Sequence, residues 1–416
     1  MAEITVINQP RNGQLGDFLT EALKRDVYRE FNAVVAFAKN SGVLRLKDSI
    51  ESYRKGGSHV KIFVGIDLDG TSYEALTSLL AISDELYVVH TESSQTFHPK
   101  IYRFMGDEDS LLIIGSNNMT SGGLWSNFET CAVLGYSSDS EEGNRIQKEI
   151  SEYMSYLVSY ESLSRRITTQ DDIEELYQAG YIDKEAKIRI RKISADRGES
   201  VDKQKKALFT TQVPAHVPSV TVPRAPQTAK RSAPVLGNLA SLVPHQTESA
   251  VSDQFMWFQT GKMTGGSRNI LDLSKTALVV KGSPIGTMFD QGQEDVMGGG
   301  TEFFGVDPAN EDITKDITIN YDGVDYSGNT IKYPTGDKAN GTWRLQIKGV
   351  SPSGVKITQA LGKDELVEKV LAFTRISDDY FYLSIFAGDD LSQFQDTSRI
   401  VAHNGTTTRS RFMGLL

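Results

Sequence analysis

Residues 97–129 read FHPKIYRFMGDEDSLLIIGSNNMTSGGLWSNFE. His98 and Lys100 stand two apart where the apolar run KIYRF begins, so on an extended backbone both side chains leave the same face. Ser116 and Asn118 repeat that spacing after LLIIG, and Glu129 opens the next apolar run, FETCAVLGY. The five groups form a set suited to phosphoryl transfer. An imidazole can attack phosphorus and form a covalent intermediate. An ammonium and a carboxamide can stabilise the equatorial oxygens as charge builds on them. A carboxylate on the second ring nitrogen fixes the tautomer and supports the imidazolium. Nothing in the set requires a metal, and no cofactor is called for.

These residues need a sheet to hold them. FNAVVAFAKNSG, VKIFVGID, ELYVVH, KIYRF, LLIIGS and FETCAVLGY read as strands, with helices over LRLKDSIESYRKGG and SYEALTSLLAIS. This alternation predicts an α/β domain whose sheet is buried on both faces, with the candidate residues at strand ends, where such sheets bind ligands. From about Glu141 to Ile193 helical patterns dominate.

Six of the twelve prolines fall between Pro214 and Pro244, which marks an extended linker and divides the chain into residues 1–200, 201–245 and 246–416. The last part changes character. Short runs such as TALVVKG, DITINYDG, TIKYP, WRLQIKGV and YFYLSIFAG alternate with Asp-Gly and Asn-Gly turns, predicting a mostly β domain of barrel or sandwich type. KDELVEKVLAFTRI reads as the one helix that interrupts it.

Composition narrows the function. The formal charge of −10 excludes a protein that coats nucleic acid through charge alone. The imbalance is uneven: residues 1–200 hold 22 basic and 31 acidic side chains, residues 201–250 hold 6 and 2, and residues 251–416 hold 16 and 21. A DNA-binding reading therefore needs local basic clusters. The single cysteine, Cys131, removes a disulfide framework within the chain and a cysteine-based zinc cluster. No apolar run approaches the ~20 residues of a membrane span, and the start lacks a secretion-signal pattern, so a cytoplasmic protein without membrane association is expected.

The stretch HPK followed by GSNN resembles the single-copy HKD motif of the phospholipase D superfamily, His-x-Lys followed by Gly-Ser-x-Asn. Met105 replaces the aspartate of that pattern, and Asp107 and Asp109 are displaced from its place. A branch of metal-independent restriction endonucleases lacks the same aspartate and uses a downstream glutamate, here Glu129. The resemblance implies a phospholipase D-like nuclease domain followed by a pseudobarrel DNA-binding domain of the plant B-three type. It makes His98 a nucleophile that forms a phosphohistidine, Lys100 and Asn118 the holders of the phosphate, Ser116 a contributor and Glu129 the residue that orients His98.

The resemblance also implies double-stranded DNA as substrate, a homodimer through the N-terminal domain that brings two His98 side chains to one centre, and a role in phage defence. It leaves room for a helicase-like ATPase subunit. In the C-terminal half, two arms carry groups that read base edges: Lys262, Arg268 and Asn269 in one, Lys338, Asn340, Thr342 and Arg344 in the other, with Trp343 assigned to the core. Two other readings stand beside this one, a phospholipase D-type phosphodiesterase on another substrate and a non-catalytic DNA-binding protein.

Overall fold

In the first half, alternate residues of the central strands are apolar on both sides, and each set has its own cover. A computed structural model describes residues 3–159, 163–198, 218, 254–262, 268–335, 341–362, 365–405 and 410–416. The first half comprises β1 (Glu3–Gln9), α1 (Leu15–Leu23), β2 (Tyr28–Val35), α2 (Asn40–Lys55), β3 (His59–Gly65), α3 (Tyr73–Ile82), β4 (Glu85–Val89), β5 (Lys100–Gly106), β6 (Asp109–Gly115), β7 (Glu129–Ser137), α4 (Glu141–Ser159), β8 (Ser164–Ile167), α5 (Gln170–Gln178) and α6 (Glu185–Gly198). Its strands form one eight-stranded sheet in the order β1-β7-β6-β5-β2-β3-β4-β8. β2, β3 and β4 are parallel, and the other pairings are antiparallel. Ala33, Val35, Ile62 and Val64 face a core shared with α1, α2, α3 and α5. Their neighbours Val34 and Phe63 face the other side, under Met154 and Leu157 of α4. That two-sided burial is the reason these strands read as continuous apolar runs.

The expected α/β domain is present, with three additions. β1 and α1 lie in a stretch whose apolar pattern is weak. β8 interrupts the region expected to be helical, because it completes the sheet edge against β4.

The second half comprises β9 (Gln254–Gln259), β10 (Ile270–Leu273), β11 (Thr276–Lys281), β12 (Val296–Gly298), α7 (Gly300–Phe303), β13 (Thr314–Tyr321), β14 (Val324–Lys332), β15 (Trp343–Gln346), α8 (Ile357–Leu361), β16 (Lys369–Arg375), β17 (Tyr380–Ala387), α9 (Leu391–Thr397), β18 (Ile400–Asn404) and β19 (Arg411–Leu415). The strands form an eleven-stranded sheet in the order β10-β15-β14-β13-β17-β16-β9-β19-β18-β11-β12. Leu271 of β10 and Met297 of β12, from its two ends, share one core with Phe373 at its centre, so the sheet curls on itself. Among the described strands its ends do not pair, so those strands do not close a barrel.

The helix expected over KDELVEKVLAFTRI is a correction: its second half is β16, a central strand between β17 and β9. Leu371 and Phe373 enter the core enclosed by the curl, whereas Val370 and Ala372 pack outside it with Trp257 and Phe394. Two cores on opposite faces require a period of two, which overrides the helix propensity of Leu, Glu and Lys. The Pro-rich linker lies outside the described residues apart from Pro218, whose carbonyl accepts from Arg45 Nε of α2 at 3.0 Å.

The two halves pack together. Leu44 of α2 joins Ile376, Tyr380 and Tyr382 in an apolar cluster. Beside it the Lys47 ammonium lies 2.6 Å from Asp325, which also accepts from Tyr380 Oη at 2.6 Å. Asp322 and Gly323 form the tip of the β13–β14 hairpin with φ of 46° and 76°. The tip abuts the Thr77 and Ser78 backbone of α3, where a side chain at Gly323 would collide. The predicted Asp-Gly turn is thus also a domain contact.

Candidate active site

The parallel strands β2, β3 and β4 end on the edge where β5 and β7 begin and β6 finishes. The sequence candidates of the N-terminal domain all lie on this edge. Val35 pairs with Lys100, and Gly115 pairs with Cys131, so the segments around His98, Ser116 and Glu129 emerge on adjacent ladders.

His98 is exposed and Lys100 is buried. Lys100 Nζ lies 2.6 Å from His98 Nδ1, 3.0 Å from Nε2 and 2.9 Å from the His98 carbonyl oxygen. Phe37, just past β2, meets the His98 ring edge to face at 5.5 Å and lies 5.9 Å from the Lys100 ammonium. Burial pushes the pKa of Lys100 below its ordinary value, and the negative charge of Glu129 opposes that shift.

Glu129 is not bonded to His98. Its carboxylate accepts from the Ser116 hydroxyl, and from Asn127 Nδ2 at 3.3 Å. Ser116 in turn accepts from the Thr130 amide at 3.2 Å. The orienting contact on His98 is therefore made by Lys100 here, while Glu129 acts on Lys100 through its charge.

Asn118 follows β6, and its Oδ1, like that of Asn117, is buried without a hydrogen-bond partner within the chain. Asn117 beside it is structural: its Nδ2 donates to the Gly123 carbonyl at 2.8 Å, and its own carbonyl accepts from Tyr102 Oη at 3.1 Å. Residues Gly122–Ser126 form a single π-helical turn that brings Asn127 back towards Glu129. Trp125 anchors the turn, donating from its indole to Asp17 Oδ1 at 3.0 Å. Its ring fills the place that a side chain at Gly16 would take. Cys131, buried below the site, has its thiol pushed up to about 11 by burial and by Glu129, which keeps it protonated and unreactive.

Three groups that position this edge were missed in the sequence. Gln9 Nε2 donates to the carbonyls of Gly122, Gly123 and Asn127 at 3.3, 3.3 and 3.0 Å. Phe37 flanks both His98 and Lys100. Asp67 follows β3 and binds His90 and the Phe97 amide. Asp67 had a usable signal, an acid just after VKIFVGI at the carboxyl edge of a strand. Gln9 had none.

The candidate DNA-binding residues are dispersed. Lys262 is exposed. Asn269 Nδ2 donates to the Ile347 carbonyl at 2.9 Å, and Arg344 Nε lies 3.6 Å from Asp272. Arg268 and Thr342 are half-buried, and Trp343 is buried in the core as expected. Lys338 and Asn340 lie outside the described residues. Ile270 pairs with Gln346 and Leu273 with Trp343, so the two arms leave opposite ends of the β10–β15 ladder. At roughly 3.4 Å per residue, those ends are about 10 Å apart. Among the described residues, no three His, Cys, Asp or Glu side chains cluster as a metal would need, and no helix is long and apolar enough to cross a membrane.

The sequence matches no protein-family model and no curated protein. Solved structures similar to it include a phospholipase D family member, Nuc, from Salmonella typhimurium, at 16% identity and TM-score 0.29, covering 41% of this chain and 100% of that one. NucT from Helicobacter pylori has 14% identity and TM-score 0.27, covering 37% and 95%. A phosphatidylserine synthase from Haemophilus influenzae has 12% identity and TM-score 0.33, covering 47% and 46%. At these scores the reading of the site rests on its own residues.

Proposed function

We propose that the chain is a DNA endonuclease that hydrolyses phosphodiester bonds through a phosphohistidine on His98, without a metal. The observation that carries this reading is the Lys100 ammonium held against the ring of an exposed histidine, with Ser116, Asn118 and Glu129 on neighbouring strand ends. In the first step His98 Nε2 attacks phosphorus, a P–N bond forms, and the P–O bond to the leaving oxygen breaks. Lys100 and the Asn118 amide stabilise the charge on the equatorial oxygens. In the second step water attacks phosphorus, the P–N bond breaks and the histidine is regenerated.

The leaving oxygen needs a proton in the first step, and one chain offers one His-x-Lys pair. A homodimer supplies the second group, with the partner's His98 as general acid and later as base for the water. The exposed apolar residues Val6, Ile114 and Phe128 near this edge support such pairing. Site selection is assigned to the C-terminal domain, as a B-three-like reader in the manner of metal-independent restriction endonucleases.

Supercoiled plasmid incubated with the purified chain in EDTA tests the reading, with His98→Ala as control and parallel arms with and without ATP. Nicked circles from the wild type alone, with an acid-labile adduct on His98, are expected. Activity lost in chelator and restored only by a divalent ion would overturn the mechanism. Turnover of phosphatidylcholine vesicles in place of plasmid would overturn the substrate.

A further inference from the structure

Residues 92–96 form an exposed loop that leads directly into His98, so something must fix the backbone from which the nucleophile projects. Asp67 meets that need from below. Its Oδ1 lies 2.6 Å from His90 Nδ1 at the start of the loop, and its Oδ2 accepts from the Phe97 amide at 2.8 Å at the end. One carboxylate thus ties both ends of the loop. Its side chain is 9% exposed, so water competes weakly for these bonds. The two residues after it, Leu68 and Asp69, have φ of 56° and 54°, and non-glycine residues hold such values only where the surrounding structure enforces them.

Tyr181 supports the His90 side, donating to Glu92 and packing on the His90 ring, and other supports lie on the His98 side. The Phe97 ring packs over Gly65, where a Cβ would come within 2.9 Å of it, and the Pro99 carbonyl accepts from the Ala36 amide at 2.8 Å. Asp67 makes no contact with the His98 ring, so its action passes through the backbone.

We propose that Asp67 is the positioning residue for His98: by binding His90 and the Phe97 amide together, it closes the preceding loop and aims the imidazole at phosphorus. The inference rests on His98 being the nucleophile. It adds a role for the His90–Asp67 pair that the reaction itself does not use.

Asparagine and alanine at position 67 separate positioning from simple stability. In Asp67→Asn, Oδ1 still accepts from the Phe97 amide and Nδ2 donates to His90 Nδ1 once that ring changes tautomer, so both ties survive. Asp67→Ala loses both. On plasmid DNA, kcat should fall by about 10²-fold in Asp67→Ala, the loss expected when a reacting group drifts by about 1 Å, with KM little changed. Asp67→Asn should recover most of kcat. Hydrogen exchange at the Phe97 amide should speed up in Asp67→Ala, while that of Leu86–Val89 stays at the wild-type rate.

Equal kcat in Asp67→Ala and the wild type, or equal losses in the Asn and Ala variants, would overturn the proposal. If Asp67→Ala does not fold, His90→Ala frees one end of the loop. It should then lower kcat less while leaving Phe97 protected, and unchanged kcat there overturns the proposal as well. A wild type no more active than His98→Ala would instead overturn the nucleophile assignment, and the exchange measurement would still decide whether Asp67 holds the loop.

Discussion

The Lys100 ammonium sits within hydrogen-bond distance of both ring nitrogens of His98, 2.6 Å from Nδ1 and 3.0 Å from Nε2. A group that reaches both nitrogens lies across the ring rather than along the lone pair of either one. In the proposed reaction that ammonium is a cation already placed for the equatorial oxygens.

Lys100→Met keeps most of the stem and removes the charge. The expected fall in kcat is about 10²–10³-fold, typical of losing one preorganised stabiliser. Burial lowers the Lys100 pKa, so the cation is lost as pH rises through a value below the ordinary lysine range. The alkaline limb of the kcat profile should lie there and move upward in Lys100→Arg, and a limb that stays put in the arginine variant would assign it to another group.

Gln9 reaches from β1 to the turn that carries Asn127. Its Nε2 serves three carbonyls, and its Oε1 accepts from the Leu15 amide at 3.2 Å. Gln9→Ala leaves these buried groups unsatisfied, at about 1–3 kcal/mol of stability. Urea denaturation should show that loss as a lower midpoint with an unchanged slope.

Much of the N-terminal domain was legible because two-sided burial writes continuous apolar runs, and LLIIG and KIYRF place Asn118 and Lys100 at strand ends whatever the topology. The supports of the site were not legible. Gln9 and Asp67 act through backbone groups more than 20 residues away in sequence, and such contacts leave no local pattern. KDELVEKVLAFTRI misled for a related reason. Its strand is set by two cores on opposite faces of β16, whereas Lys, Glu and Leu alone favour a helix.

At the contact between the halves, Glu74 is buried and accepts from Ser384 Oγ at 2.5 Å and from the Glu185 amide at 3.0 Å. Burial, reinforced by the charge of Glu185, pushes its carboxyl up to about 7. The folded protein thus binds a proton that the unfolded chain releases near the ordinary value of 4.5. The stability from protonated Glu74 is complete below that value, declines as pH rises and is lost above about 7. Urea midpoints should fall between pH 5 and pH 8, and Glu74→Gln should flatten that part of the slope. A slope that persists in the variant would place its origin elsewhere.

Val6 of β1 is opposite Ala132 of β7, which is opposite Ile114 of β6, so the three form one row across the sheet edge. Val6 is 45% exposed, Ile114 46% and Phe128 84%, an apolar strip beside the candidate site. If that strip pairs two chains, a carboxylate in its middle must be desolvated against a partner, and Ile114→Glu should yield monomers by light scattering with an unchanged far-UV spectrum. A site shared between chains then loses its general acid, and nicking should fall by roughly 10²–10⁴-fold. Mixed dimers of wild-type and His98→Ala chains separate this from two independent sites. Independent sites leave the mixed dimer nicking at about half the normal rate, whereas a shared site needs both histidines and loses the full general acid–base contribution. Half-rate nicking, or a monomeric Ile114→Glu protein as active as the wild type, would remove the shared centre from the mechanism.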